Sequence, residues 1–162
     1  MKYCPRCAQP VFLLQTKSHV CSACGFTLFL NVAAAVAAII EVNGAILACV
    51  RAREPEAGRL DLPGGFVDYH ESAEQALRRE LAEELGMECV NPVYFGSYPN
   101  VYPYRSVEYR TLDLIFTMVL PERPAIVPAD DVVDVVWLKK SEIALSAFAF
   151  SSIRAVLTAY LR

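Results

Sequence analysis

The sequence predicts an α/β domain over residues 31–162, preceded by a small cysteine-bearing ribbon over residues 1–30. Three observations lead there. Two apolar runs, Val32–Val42 and Ala45–Val50, meet at Asn43-Gly44, a strong short-range signal for a β-hairpin. One well-punctuated helix opens at Ser72, with Gln75 completing a capping box, and closes near Leu85 at Gly86. Four of the 6 cysteines fall in two Cys-x-x-Cys pairs, both within the ribbon.

Composition narrows the class. A chain of 162 residues suits one ordinary domain with an appendage, and 55% hydrophobic residues suffice for a real core, which excludes a disordered protein. The net charge of −3, with no run of Lys or Arg, offers no electrostatic footprint for nucleic acid. An acidic protein that handles phosphates needs a cation between the like charges. Val32–Val42 is too short to span a bilayer, so no membrane association is expected. Met1-Lys2-Tyr3-Cys4 lacks the pattern of a signal peptide, and a cytoplasmic location is the expectation.

In the ribbon, Cys4-x2-Cys7-x13-Cys21-x2-Cys24 supplies four thiolates for a tetrahedral, structural Zn²⁺, flanked by strand candidates Val11–Leu14 and Phe26–Leu30. Thirty residues bury little apolar surface, so a metal is the expected source of stability. Cys49 and Cys89 read as buried small hydrophobes, and His19 as a surface residue. Beyond the helix, Pro92–Tyr98, Val107–Leu120 and Val132–Leu138 read as strands. Tyr98–Arg105, aromatic and containing prolines, reads as a loop. Phe150–Leu161 closes the chain as an amphipathic helix.

The Ser72–Leu85 helix carries the chemistry. Glu80, Glu83 and Glu84 stand at i, i+3 and i+4 and share a face that borders the Leu77, Leu81, Leu85 stripe. Clustered carboxylates repel one another, and a hard divalent cation such as Mg²⁺ or Mn²⁺ removes the repulsion while keeping waters for phosphates. Arg79 and Glu71 are spaced to pair across the start of the helix. The plainer alternative is a solvated acidic face, and spacing alone leaves the two readings level.

The segment Gly65–Met87 resembles the Nudix box, G-x5-E-x7-R-E-U-x-E-E-x-G-U with U a bulky aliphatic residue, and every fixed position is filled: Gly65, Glu71, Arg79, Glu80, Leu81, Glu83, Glu84, Gly86 and Met87. Leu60 and His70 depart from common choices in relatives; neither touches a ligand position, and they bear on the shape of the loop. The resemblance implies an α/β/α sandwich with a mixed sheet and hydrolysis of a diphosphate linkage attached to a nucleoside. It implies that Glu80, Glu83 and Glu84 hold Mg²⁺ with the Gly65 carbonyl, that Arg79 holds Glu71 or orients the carboxylates, and that Glu84 is the general base, with Glu122, Asp130 and Asp131 as alternatives. Ser97–Ser106 loosely resembles an element of the zinc-ribbon NADH pyrophosphatase branch, so an NADH- or NAD-like dinucleotide is the leading substrate. ADP-ribose, FAD, dinucleoside polyphosphates and (d)NTPs are alternatives, as is a non-enzymatic nucleotide-sensing regulator. Arg51 and Arg53 are candidate phosphate contacts, and Tyr102 and Tyr104 could stack on a base. A small nucleotide is thus the expected partner; a capped RNA end and a homodimer are weaker expectations.

Overall fold

The computed structural model describes residues 3–10, 12–14 and 17–162, the strand 12–14 through its backbone alone. The chain divides into two compact units, Met1–Val32 and Ala33–Arg162. In the first, β1 (Phe12–Leu14), β2 (Ser18–Cys21) and β3 (Thr27–Phe29) form an antiparallel meander in that order. The two expected strands are present, Val11 lying outside the described residues. The middle strand was not expected, because Ser18-His19-Val20-Cys21 has no apolar run of its own. It forms by pairing on both edges, Leu13 opposite Val20 and His19 opposite Leu28.

The second unit comprises β4 (Ala33–Val42), β5 (Ala45–Arg51), β6 (Leu60–Asp61), α1 (Ala73–Leu85), β7 (Val93–Tyr104), β8 (Val107–Val119), β9 (Val132–Lys139) and α2 (Ser151–Tyr160). The strand order is β6-β5-β4-β8-β7, with β9 also on β5; β4 runs parallel to β8 and the other pairs are antiparallel, so the sheet is mixed. Asn43 and Gly44 both have positive φ, 50° and 76°, as a two-residue hairpin turn of this hand requires.

The sheet is buried on both faces. Val36, Ala38 and Ile40 of β4 join Leu47, Phe116 and Met118 beneath Leu77, Leu81 and Leu85 of α1. Ala37 and Ile39 point the other way, to Ile46, Ile115 and Val156 and Leu157 of α2. This alternation explains why β4 is apolar throughout and contains small alanines: it is a central strand covered by a helix layer on each side, the expected α/β/α sandwich.

One expectation is corrected. Residues 98–104 are not a loop but the second half of β7, paired with β8 from Tyr98 opposite Asp113 to Tyr104 opposite Val107. Proline breaks a central strand but not an edge one. β7 is the edge of the sheet, where a missing N–H that faces the open side costs no ladder bond, and Pro99 and Pro103, four residues apart, share one orientation.

Candidate active site

Local sequence sets the α1 carboxylates in place. Ser72 caps the helix: its Oγ accepts from the Gln75 N–H at 3.3 Å, and its own N–H donates to Gln75 Oε1 at 2.7 Å. Gly86 ends the helix in the left-handed region at φ 63°, its N–H donating to Ala82 O at 3.1 Å. Between these ends, full burial of Leu77, Leu81 and Leu85 fixes the rotation of the helix. That rotation sinks Glu80 and Glu84 to 9% and 7% exposure and leaves the Glu83 side chain at 50%.

The two buried carboxylates face a glycine pair. β4 pairs with β5 only next to their turn, Glu41 with Ile46 and Val42 with Ala45. Farther upstream its edge is taken by the segment Pro63–Val67: Ala38 N–H donates to Pro63 O at 2.9 Å, Val36 N–H to Gly65 O at 2.8 Å, and Val67 N–H to Ala34 O at 3.0 Å. The chain passes so close that a Cβ on Gly64 would lie 2.1 Å from Val36 O, and one on Gly65 would lie 2.4 Å from Glu80 Oε1. Gly64 N–H donates to Glu84 Oε2 at 2.9 Å. Burial, partly offset by that bond, pushes the Glu84 carboxyl up to about 8, with Glu80, Asp61 and Asp131 adding repulsion. Burial raises Glu80 as well, against the pull of Arg79.

Arg79 ties the loop to the helix. Its Nη2 donates to Glu71 Oε1 at 2.7 Å and to Phe66 O at 2.9 Å, and its Nη1 to Glu80 Oε1 at 2.8 Å and Glu83 Oε2 at 3.1 Å. These carboxylates, Glu71 foremost, raise the affinity of the guanidinium for its proton. Glu71 is held below the usual carboxylate range, chiefly by Arg79. The guanidinium therefore stands between Glu80 and Glu83. Among the described residues only the four ribbon cysteines form a group of three or more such side chains with all ligand atoms within 4.8 Å of one another; the three glutamates are not gathered that closely.

Beside Glu84 and the glycines opens a cavity of about 140 Å³. Arg51 and Tyr102 line it; Arg53 and Tyr104 do not. Arg51 is already engaged, donating to Asp61 Oδ2 at 2.9 Å and Pro55 O at 3.0 Å with its guanidinium 4.8 Å from the Phe150 ring centre. Arg53 is exposed and paired with Asp130 at 3.3 Å and Asp131 at 2.8 Å. Tyr104 belongs to an adjoining aromatic hollow with Phe66, Tyr102 and Tyr109. Sequence reasoning missed Asp61, Asn100, Thr111 and Asp113, all in the cavity wall. Desolvation by its surroundings lifts Asp61 to about 6 against the pull of Arg51. A signal existed for two of them: Thr111 and Asp113 are polar at inward positions of a strand whose next inward residue is Ile115.

In the ribbon unit, Cys4 Sγ lies 3.8 Å from Cys24 Sγ and Cys7 Sγ 3.6 Å from Cys21 Sγ. Those separations are far beyond a disulfide and match the edge of a thiolate tetrahedron with 2.3 Å metal bonds, about 3.8 Å. Each knuckle turns the same way: Ala8 N–H donates to Cys4 O at 2.8 Å and Gly25 N–H to Cys21 O at 2.9 Å, both turn residues at positive φ.

A buried carboxylate helix under a mixed sheet, gripped by a glycine pair and clamped by one arginine, defines a class of site that comparison with known proteins identifies. The family model described as NUDIX domain matches residues 30–160. The chain belongs to the Nudix family. It is 30% identical over 105 residues to the NAD-capped RNA hydrolase NudC of Haemophilus influenzae, an alignment covering 63% of this chain and 40% of that protein. It is 34% identical over 93 residues to the ADP-ribose pyrophosphatase of Methanocaldococcus jannaschii, covering 57% of this chain and 54% of that one. It thus spans about half or less of the length of these curated relatives. The crystal structure of a NUDIX hydrolase from Nitrosomonas europaea superposes with a TM-score of 0.74 at 25% identity, covering 99% of this chain and 90% of that chain. No helix among the described residues is long and apolar enough to cross a membrane.

Proposed function

We propose that the protein hydrolyses the diphosphate linkage of a nucleoside diphosphate derivative, with an NADH- or NAD-like dinucleotide as its substrate. One observation carries the reading: Glu80 and Glu84, at 9% and 7% exposure, are buried beside Gly64-Gly65, where a cavity of about 140 Å³ opens. Two carboxylates are held out of water at a cost that Arg79 and the Gly64 N–H offset only in part, and that a bound cation would relieve. Their hard oxygens fit Mg²⁺ or Mn²⁺ better than a softer metal, with Glu83 and the Gly65 carbonyl to complete the set. When bound, such an ion neutralises diphosphate oxygens and lowers the pKa of a water. The chain's own residues do the rest. Arg79 holds Glu71 and Glu80 in fixed rotamers, Gly64 N–H orients the Glu84 carboxylate, and Glu84 is the candidate to accept the proton of the attacking water.

The relatives named for NAD-capped RNA and for ADP-ribose support a diphosphate flanked by nucleosides or sugars as the substrate class. The aromatic walls Phe66, Tyr102 and Phe150 suit a stacked base. In the ribbon, Cys4, Cys7, Cys21 and Cys24 would hold a structural Zn²⁺. The test is product analysis with Mg²⁺ and a panel of NADH, NAD, ADP-ribose, FAD, diadenosine polyphosphates and dNTPs. Release of AMP and reduced nicotinamide mononucleotide from NADH, lost by at least about 100-fold in Glu84→Gln, is the expected result. Cleavage of none of the panel by folded protein would reject hydrolysis in favour of nucleotide sensing.

A further inference from the structure

The α2-side wall of the cavity holds a polar cluster that the diphosphate chemistry does not use. Asn100 of β7 stands opposite Thr111 of β8 in the register, with Asp113 two residues farther along β8. Asn100, Thr111 and Asp113 are exposed by only 9%, 3% and 7%, and all three line the cavity. Asp113 is fixed from both sides: Thr111 Oγ1 donates to its Oδ1 at 2.6 Å, and Ser152 Oγ of α2 donates to its Oδ2 at 2.6 Å. Each of its oxygens keeps a lone pair beyond the hydroxyl it already accepts from. Asn100 Oδ1 is buried with no hydrogen-bond partner. An orphaned buried acceptor is costly to hold out of water, and so marks a place that a ligand donor can fill.

The rest of the wall says what kind of ligand carries that donor. Phe66, Tyr102 and Phe150 line the same cavity, with ring centres 5.6 Å apart for the first pair and 5.4 Å for the second, a setting for a flat ring. Among the described residues Arg51 is the one Lys or Arg in the cavity lining, and its Nε and Nη1 groups donate to Pro55 O and Asp61. A carbonyl entering here would face acceptors, and an amino group would find two.

We propose that Asn100 and Asp113 select the base of the substrate, admitting one with an amino group where keto bases carry an oxygen, the edge shared by adenine and cytosine. One N–H of that amino group meets Asn100 Oδ1 and the other the Asp113 carboxylate. Hypoxanthine and uracil carry a carbonyl oxygen in place of the amino group and a proton on the neighbouring ring nitrogen, so they bring one donor to two acceptors and set an oxygen against the other. The selection uses the Asn100 amide as it stands, with Oδ1 as the open acceptor, while the Asp113 carboxylate offers acceptors alone. The inference rests on the cavity being the nucleotide site and is tested apart from turnover.

The experiment is equilibrium binding of AMP, IMP, CMP and UMP to the full chain by calorimetry. The expected result is at least about tenfold tighter binding of AMP than IMP, or of CMP than UMP, since a buried polar site rejects an analogue that leaves its groups unpaired. Which pair separates tells a purine site from a pyrimidine one. Asp113→Asn, which turns an acceptor into a donor at constant shape, should bring the separated pair to within about threefold, and Asn100→Ala should narrow it as well. Equal binding within both pairs, a preference untouched in both variants, or no binding of any of the four would overturn the proposal. Because Asp113 also anchors Ser152, a variant that fails to fold leaves Asn100→Ala and the wild-type ratios to decide. Hydrolysis of the dinucleotide panel is scored separately, so loss of the base preference and loss of the catalytic reading are distinguishable.

Discussion

At the scale of single residues, the two glycines before α1 serve different ends. Gly64 has φ +145° and no room for a Cβ against the Val36 carbonyl, so Gly64→Ala is expected to cost about 3 kcal/mol of stability, measured by urea denaturation. Gly65 carries no positive φ, and its obstacle is the Glu80 carboxylate, a side chain that can move. Gly65→Ala is therefore expected to leave stability within about 1 kcal/mol while lowering turnover at least about tenfold, because Glu80 is displaced from the site. A Gly65→Ala enzyme with full kcat would remove Glu80 from the catalytic set. The residues of the box were legible because their spacing on a helix is itself the signal. Asn100 and Asp61 were not, since a lone polar residue acquires meaning only from neighbours that the sheet brings from other strands, as β8 brings Thr111 to Asn100 and β5 brings Arg51 to Asp61.

Among the elements, α1 was read from end to end because both of its caps are local chemistry. Ser72→Ala removes the acceptor for the Gln75 N–H, and thermal or urea unfolding should register a loss of about 1 kcal/mol. An unchanged midpoint would mean that burial of Leu77, Leu81 and Leu85 holds the helix start without help from the cap. The β4–β5 hairpin was equally legible from Asn43-Gly44. The second half of β7 was not, because proline reads as a breaker unless one knows that the strand lies at an edge. β6, at two residues, Leu60–Asp61, is too short to carry any periodicity of its own. It exists through its pairing with Cys49 and Val50 on one side and through the Ala149 N–H donated to Leu60 O.

For the molecule as a whole, the two compact units have different sources of stability. The second has helix-covered cores on both sheet faces. Among the described residues of the first, the buried apolar side chains are Cys4 and Cys21, at 2% and 1% exposure, both members of the thiolate cluster. Metal analysis should find one thiolate-bound zinc per chain, and its removal by a strong chelator should abolish amide protection in residues 3–30 while leaving residues 33–162 protected. Retained protection in the metal-free ribbon would refute a structural role for the ion. The shared edge of β4 has a consequence for the order in which the chain assembles. Its N–H and carbonyl groups from Ala34 to Ala38 are received by Pro63–Val67, although β5, joined to β4 by a tight turn, is the nearer competitor in sequence. Local closure is faster than distant closure. The hairpin must therefore stop zipping after Glu41 and Val42 and wait for a remote strap, which α1 locks through Glu84 and the Gly64 N–H. Refolding should regain its far-ultraviolet dichroism before it regains hydrolysis, and simultaneous recovery of the two signals would show that the strap arrives with the hairpin.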